Sequence, residues 1–91
     1  MNPHQRELLR LALLRVLEAN PTVYGLGLEA LCHLAARFGF TSPEPSAVAL
    51  EIQYLEDKGL VLPVNKVVSP ENRAWRISAA GRDSLAQLSG E

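Results

Sequence analysis

The stretch Leu55-Glu56-Asp57-Lys58-Gly59-Leu60-Val61 decides the fold, because it ends an amphipathic helix at a glycine and continues directly into an apolar strand. After a polar interruption, Trp75-Arg76-Ile77-Ser78-Ala79-Ala80-Gly81 indicates a second strand that stops at a serine placed to cap another helix. Ser69-Pro70-Glu71-Asn72 supplies the turn between the two strands. The second half is therefore predicted to run helix, strand, turn, strand, helix.

The first half is predicted to contain two further helices. The first runs from about Pro3 to Ala19, where a proline is tolerated at an early helical position, and it ends at Asn20-Pro21. The second runs from Leu28 to Phe38, with Gly39 as its C-terminal cap. Between the two helices, Thr22-Val23-Tyr24 could add a third strand beside the hairpin.

The remaining boundaries follow from prolines, serines and glycines. Either Ser42 or Ser46 can cap the third helix, which runs to Lys58. The hairpin strands are predicted over residues 60–62 and 64–68, with Pro63 at an edge or a bulge, and over residues 73–77. The last helix extends from its Ser78 cap to about Leu88.

Apolar residues recur at spacings of three and four in the first three helices. The residues predicted on this basis to face the core are Leu9, Ala12, Leu13, Val16, Leu17, Leu28, Leu31, Leu34, Ala35, Phe38, Val48, Ile52 and Leu55. Leu11 and Leu14 lie off the stripe and are expected to be partly exposed in a lone domain. Either the last helix, with Leu85 and Leu88, or a homodimer interface would cover them.

The aromatic residues are interpreted mainly as packing residues. Trp75 is expected to pack under the hairpin against the third helix or a partner. The alternative is an exposed Trp75 that forms a contact surface with Arg73 and Arg76. Tyr24 and Tyr54 are expected to border the core with their hydroxyls in water.

The composition indicates one small cytoplasmic domain spanning residues 1–91. No apolar run approaches the roughly 18 residues of a membrane span, and Met1-Asn2-Pro3-His4 lacks the pattern of a signal peptide. The lone Cys32 gives no disulfide framework and suits a reducing compartment. A chain this short buries only about 60% of the surface exposed on unfolding, so a second subunit would add stability.

Catalytic and metal-binding motifs are not found. Cys32 and His33 point about 100° apart on a helix and do not make a zinc site or a nucleophile–base pair. Gly25-Leu26-Gly27 lacks the further glycines and the lysine of a phosphate loop. The carboxylate pair Glu56-Asp57 lies at a helix end and is interpreted as solubilising charge. We therefore predict no enzymatic activity, no cofactor and no metal.

The net charge is −1, but its distribution is uneven. The third helix is acidic, whereas the first helix and the hairpin are basic. Arg6, Arg10 and Arg15 are interpreted as a solvated face of the first helix that could flank DNA backbone in a dimer.

These elements predict a mainly α fold with a small antiparallel β-hairpin, namely a winged helix with a three-helix core, a two- to three-stranded wing and a C-terminal helix. The runs Tyr54-Leu55-Glu56-Asp57-Lys58-Gly59-Leu60-Val61 and Ile77-Ser78-Ala79-Ala80-Gly81 resemble those of winged-helix transcriptional regulators of the MarR and PadR sort. The resemblance implies a DNA-binding regulator whose third helix enters the major groove and whose wing contacts phosphates or the minor groove.

Transferred to this chain, the resemblance assigns the contacts with double-stranded DNA to particular residues. On the groove-facing side of the third helix these are Ser46, Ala47, Ala49, Leu50 and Gln53. On and beside the wing they are Lys66, Asn72, Arg73 and Arg76. Leu11 and Leu14 would contribute to a homodimer contact.

The third helix also supports an alternative hypothesis. Gln53 is its only side chain able to form a bidentate contact with a base, and Glu51 is acidic in a position expected to approach phosphates. The alternative is a protein–protein interaction module in which Leu50, Ala47 and Ala49 form an apolar patch.

Overall fold

A computed structural model describes residues 2–40, 43–64 and 73–88. The elements, in chain order, are α1 (Pro3–Ala19), β1 (Leu26–Gly27), α2 (Leu28–Leu34), a 3-10 helix (Ala35–Phe38), α3 (Pro45–Asp57), β2 (Val61–Val64), β3 (Ala74–Ile77) and α4 (Ala79–Leu88). The described chain is mainly helical with a small antiparallel sheet, which confirms the coarse fold class.

Local capping signals set the ends of α1. The Asn2 side chain accepts a hydrogen bond from the Gln5 backbone N–H at 2.8 Å, and the Gln5 side chain accepts one from the Asn2 backbone N–H at 3.2 Å. This reciprocal pair satisfies two backbone donors that the first turn of a helix leaves open. At the other end, the Asn20 side-chain amide donates to the Val16 carbonyl at 2.8 Å. The predicted bounds of the first helix are confirmed.

The start of α3 differs from the prediction. Glu44 is the N-cap residue and Pro45 is the first helical residue, where the fixed φ of proline suits the helix and its missing N–H is harmless. Ser46 therefore lies inside the helix, and its prediction as the cap is wrong; Ser42 lies outside the described residues. The helix ends where Gly59 adopts a φ of 74°, a conformation that glycine tolerates best.

The three strands form an antiparallel sheet in the order β1-β3-β2. The third strand is Leu26–Gly27 rather than residues 22–24, and Tyr24 is 72% exposed instead of bordering the core. The backbone of β1 pairs with that of β3, and Leu26 lies opposite Trp75. Pro63 lies in β2, an edge strand of the sheet, as predicted. The part of the predicted hairpin over residues 65–72 lies outside the described residues.

One hydrophobic cluster joins the helices to the sheet. Its buried members include Leu9, Leu13, Val16, Leu17, Leu31, Val48, Ile52, Leu55, Trp75, Ile77 and Leu85, as the helical spacing predicts for those in the first three helices. The prediction that Leu14 is partly exposed is wrong, because Leu14 is only 2% exposed and belongs to this cluster. The packing of α4 against α1 buries this side of α1 within a single chain, whereas Leu11 stays half-buried.

The two motifs that decide the fold contact each other directly. The Ser78 hydroxyl donates to the Gly59 carbonyl at 2.6 Å and accepts from the Gly81 backbone N–H at 3.0 Å. The Ser78 backbone N–H also donates to the Leu60 carbonyl at 3.1 Å. One serine therefore caps α4, as predicted, and joins it to the segment that follows α3.

Gly81 permits this approach because a side chain would not fit. A Cβ atom at Gly81 would overlap the Leu60 carbonyl oxygen and would lie 2.7 Å from Cγ1 of Ile77. Alanine at this position would therefore push α4 away from the Leu60 backbone.

We predict that Gly81→Ala lowers the free energy of unfolding by about 1–3 kcal/mol, because of overpacking. This is opposite in sign to the gain of about 1 kcal/mol that alanine usually brings inside a helix. Urea unfolding followed by circular dichroism measures the change. Gly27→Ala is the matched control, since its Cβ would meet only a backbone oxygen at 3.6 Å. Equal or greater stability of Gly81→Ala would contradict the prediction.

Candidate functional site

The outward side of α3 carries the residues predicted to meet DNA or a protein. Ser46 and Leu50 are exposed, and Ala49 and Gln53 are half-buried. These four residues, together with exposed Asp57, are called the α3 face below. Ala47 is half-buried and packs against the hydrophobic cluster, so only part of it is available to a partner.

Leu50 is the most prominent apolar group of the α3 face, with 57% of its surface exposed. The residues three and four positions before it on the helix, Ala47 and Ser46, have small side chains. Tyr54, one turn further on, is 38% exposed, but a guanidinium lies over its ring, as described below.

The adjacent Glu51 is not a surface acid. It is 1% exposed and accepts hydrogen bonds from two arginines of α1. Nε of Arg6 lies 2.9 Å from one carboxylate oxygen, and Nε of Arg10 lies 2.7 Å from the other. A buried charge is tolerated only when it is paired and hydrogen-bonded in this way. The interpretation of Arg6 and Arg10 as a solvated face is therefore wrong.

Sequence reasoning missed this cluster although a signal was present. Glu51 follows Val48 by three residues and precedes Leu55 by four, so it lies on the buried side of the helix. A carboxylate at that spacing requires a cation from another element. The first helix, with Arg6 and Arg10 one turn apart, offers two of them.

Two cationic side chains, those of Arg10 and Lys58, lie over the ring of Tyr54. The Arg10 guanidinium carbon lies 3.8 Å from the ring centroid, and Nζ of Lys58 lies 5.7 Å from it. Arg10 is therefore held by both a carboxylate and an aromatic face. Its reach towards an external phosphate is reduced accordingly.

The donor groups of Gln53 are also engaged within the chain. Its side-chain Nε2 donates to Oδ1 of Asp57 at 3.0 Å and to Oε2 of Glu56 at 3.4 Å. A glutamine reads adenine by presenting its donor and its acceptor together. Gln53 would have to give up these bonds to do so.

The side chain of Glu56 joins α3 to the sheet. Its Oε1 accepts from Trp75 Nε1 at 2.9 Å and from Nη2 of Arg73 at 3.3 Å. The Arg73 guanidinium also lies 5.4 Å from the centroid of the Trp75 ring. Trp75 is 4% exposed, which confirms the prediction that it packs under the hairpin against the third helix.

The other residues that the sequence assigns to DNA contacts on and beside the hairpin fall into two groups. Arg76 is exposed on β3, and within the described ranges it makes no ion pair. Lys66 and Asn72 lie outside the described residues. The structure thus brings Arg73 to α3 but leaves Arg76 directed at solvent.

The part of the chain that the structure describes offers few other groups suited to catalysis or metal binding. Burial raises the pKa of the half-buried Cys32 thiol, which keeps it in the less reactive protonated form. Over residues 2–40, 43–64 and 73–88, no group of three or more His, Cys, Asp and Glu residues could hold a metal ion. None of the helices in these ranges has the length and apolar character that a bilayer-spanning helix needs.

Comparisons with protein-family models, with curated proteins and with solved structures found no significant match to this chain. The functional argument therefore depends on the residues of α3 and the sheet themselves.

We predict that Arg6→Met together with Arg10→Met lowers the free energy of unfolding by about 3–5 kcal/mol, because the Glu51 carboxylate is then buried without a cation. Methionine keeps most of the apolar stem, so the loss reports mainly on charge. Urea unfolding followed by Trp75 fluorescence measures it.

Adding Glu51→Leu to that double variant is the control. It should recover much of the lost stability, because no buried charge then remains. An unchanged urea midpoint for the double variant would show that the ion pairs contribute little to stability.

Proposed function

We propose that this chain is a winged-helix domain that uses the α3 face to bind another protein. The fold assignment is supported by the element order α1-β1-α2-α3-β2-β3-α4, by the sheet order β1-β3-β2 and by the packing of β2 and Trp75 against α3. It is also supported by the contact between Ser78, Gly59 and Gly81, the residues that carry the resemblance to winged-helix regulators.

The observation that carries the functional proposal is the exposure of Leu50 next to Gln53, whose side-chain amide donates within the chain. Reading of bases needs free hydrogen-bond donors, and phosphate contacts need free cations. Gln53 donates to Glu56 and Asp57, while Arg10 is bound to Glu51. An apolar side chain in the middle of such a helix favours a partner with an apolar pocket.

The charges at the two ends of α3 define the chemistry of that partner. Glu44 is exposed at the N-terminal end and Asp57 at the C-terminal end, with Leu50 about midway between them. At a rise of 1.5 Å per residue, the backbone positions of Glu44 and Asp57 lie about 10 Å from that of Leu50 along the helix axis. The complementary surface would have an apolar pocket for Leu50 and a Lys or Arg on either side of it.

A second candidate, DNA binding in transcriptional control, is favoured by one observation. Arg76 is exposed on β3 without an ion pair among the described residues, and Arg73 is half-exposed where it meets Glu56. Arg73 could exchange its carboxylate for a phosphate, whereas Lys66 and Asn72, which the sequence also assigns to DNA, lie outside the described residues. Binding of this kind would be held mainly by phosphates and would discriminate sequences weakly.

Leu50→Asp tests the protein-binding proposal. It should abolish capture of a partner from an extract, because a charge cannot enter an apolar pocket without a cation. Val23→Asp is the control, since Val23 is an exposed apolar residue in the segment before β1. A partner retained by the unaltered chain and by Val23→Asp, but lost with Leu50→Asp, is the expected result. Identical capture by all three proteins would refute the role of the α3 face.

Salt dependence separates the two candidates. Fluorescence anisotropy with random-sequence duplex DNA should show little binding at either about 50 mM or about 200 mM salt if the α3 face binds protein. If the hairpin binds phosphates, binding at low salt should be strong, and Arg76→Ala should reduce the salt slope by about one. The latter result, with Leu50→Asp leaving DNA binding unchanged, would favour the DNA-binding candidate.

A further inference from the structure

A groove lies where the end of α1, the segment before β1, strand β3 and the start of α4 meet. It is open to solvent and has a volume of about 280 Å³. None of the residues that line it belongs to the α3 face. Because two arginines are among its lining residues, it is called the arginine groove below.

The floor of the arginine groove is apolar. Leu17 and Ile77 are buried members of the hydrophobic cluster, and their outer atoms line the groove. Val23, which is exposed, stands at its rim. The volume is slightly below the roughly 300–1,000 Å³ of pockets that hold drug-sized molecules. The groove therefore suits one apolar side chain with its adjoining backbone.

Arg76 and Arg82 give the groove an unbalanced positive charge. Arg76 projects from β3 and Arg82 from the first turn of α4, and both are exposed. Among the described residues neither arginine makes an ion pair, and no Asp or Glu lines the groove. The helix dipole disfavours a cation in a first turn, so the stability of α4 does not account for Arg82. Guanidinium groups bind carboxylates through paired hydrogen bonds, and the groove thus complements a ligand with carboxylates.

Asn20 and Thr22 add a hydrogen-bond acceptor and a donor beside the apolar floor. Nδ2 of Asn20 donates to the Val16 carbonyl at 2.8 Å, and within the described ranges its Oδ1 accepts no hydrogen bond. The Thr22 hydroxyl oxygen accepts from the Tyr24 backbone N–H at 3.2 Å, which leaves the hydroxyl hydrogen free to donate. A peptide backbone presents both N–H and C=O groups to such a pair, whereas a DNA backbone presents acceptors alone. The polar groups of the groove therefore favour a peptide.

The wall of the groove before β1 is held in a turn. The Gly25 backbone N–H donates to the Thr22 carbonyl at 3.3 Å, and Gly25 has a φ of 71°. A Cβ atom at Gly25 would lie 2.8 Å from the Trp75 carbonyl oxygen, so the turn packs directly on β3. Thr22 and Val23 are thus positioned before a ligand arrives, which lowers the entropy cost of binding.

We propose that the arginine groove binds an extended acidic segment of another protein. One apolar side chain of that segment contacts the floor formed by Leu17 and Ile77. Carboxylates next to it in sequence pair with Arg76 and Arg82 at the rim. This proposal does not depend on the partner of the α3 face.

A short synthetic peptide tests the proposal. The probe is acetyl-Asp-Asp-Leu-Asp-Asp-amide, which offers carboxylates on both sides of an extended chain. In an NMR titration of the isotope-labelled protein, the backbone amide signals of Thr22, Val23 and Ile77 should shift, and that of Leu50 should not. The probe should bind at least tenfold more tightly than a peptide with Asn for every Asp, and than one with Ser for Leu. Equal binding of the Asn peptide would overturn the proposal.

Substitution of the two arginines locates the charge contacts. Arg76→Gln and Arg82→Gln should each weaken binding of the probe by about fivefold, since exposed ion pairs contribute modestly. Arg37→Gln is the matched control, because it removes the same charge from an exposed position outside the groove. It should leave the dissociation constant unchanged. The proposal fails if both groove variants bind the probe as the unaltered chain does.

Two aspartate variants separate this groove from the α3 face. Val23→Asp sets a carboxylate at the rim and should weaken binding of the acidic probe by at least tenfold. Leu50→Asp should bind the probe normally, so loss of the α3 partner and loss of the groove ligand are distinguishable. Displacement of the probe by random-sequence duplex DNA at about 200 mM salt would assign Arg76 and Arg82 to phosphates and overturn the proposal.

Discussion

The buried carboxylate of Glu51 is the interaction on which the arrangement of α1 and α3 depends. Each of its oxygens is bound by a different arginine of α1, Arg6 or Arg10. Apolar contacts are non-directional and tolerate small displacements of one helix against another. A buried ion pair does not tolerate such a displacement, because a shift that lengthens either bond leaves charge without a partner. Glu51 therefore fixes the rotation of α3 about its own axis and, with it, the direction in which Leu50 projects.

The same pairing changes the electrostatic character of α3. In the sequence the helix looks acidic, yet in the fold Glu51 is compensated by Arg6 and Arg10, and Glu56 by Arg73. This pairing removes Glu51 and Glu56 from the unpaired charge of α3 and leaves an apolar centre between the exposed charges at its ends, namely Glu44, Asp57 and Lys58. The groups that would have attracted a polyanion hold the chain together instead, which is why the geometry favours a protein partner for α3.

Elements with local signals were predictable, whereas those defined by distant contacts were not. The bounds of α1 follow from Asn2 and Asn20-Pro21, which act within a few residues of the helix ends. β1 was misplaced because a strand of two residues has no pattern of its own and exists only through pairing with β3. Leu14 was expected to be partly exposed because its burial depends on where α4 packs.

The candidate site was predicted in location but not in chemistry. The exposure of Leu50 follows from helical spacing, but Glu51 meets its arginines across 41 and 45 residues of sequence. Beyond the C-terminal end of α3, Ser78 joins the start of β2 to the end of β3 through hydrogen bonds to Gly59 and Leu60. The strand ends nearest the core are thus tied to each other independently of the strand ends near Val64 and Ala74. Substitutions near Val64 should therefore leave the junction of α3, the sheet and α4 intact.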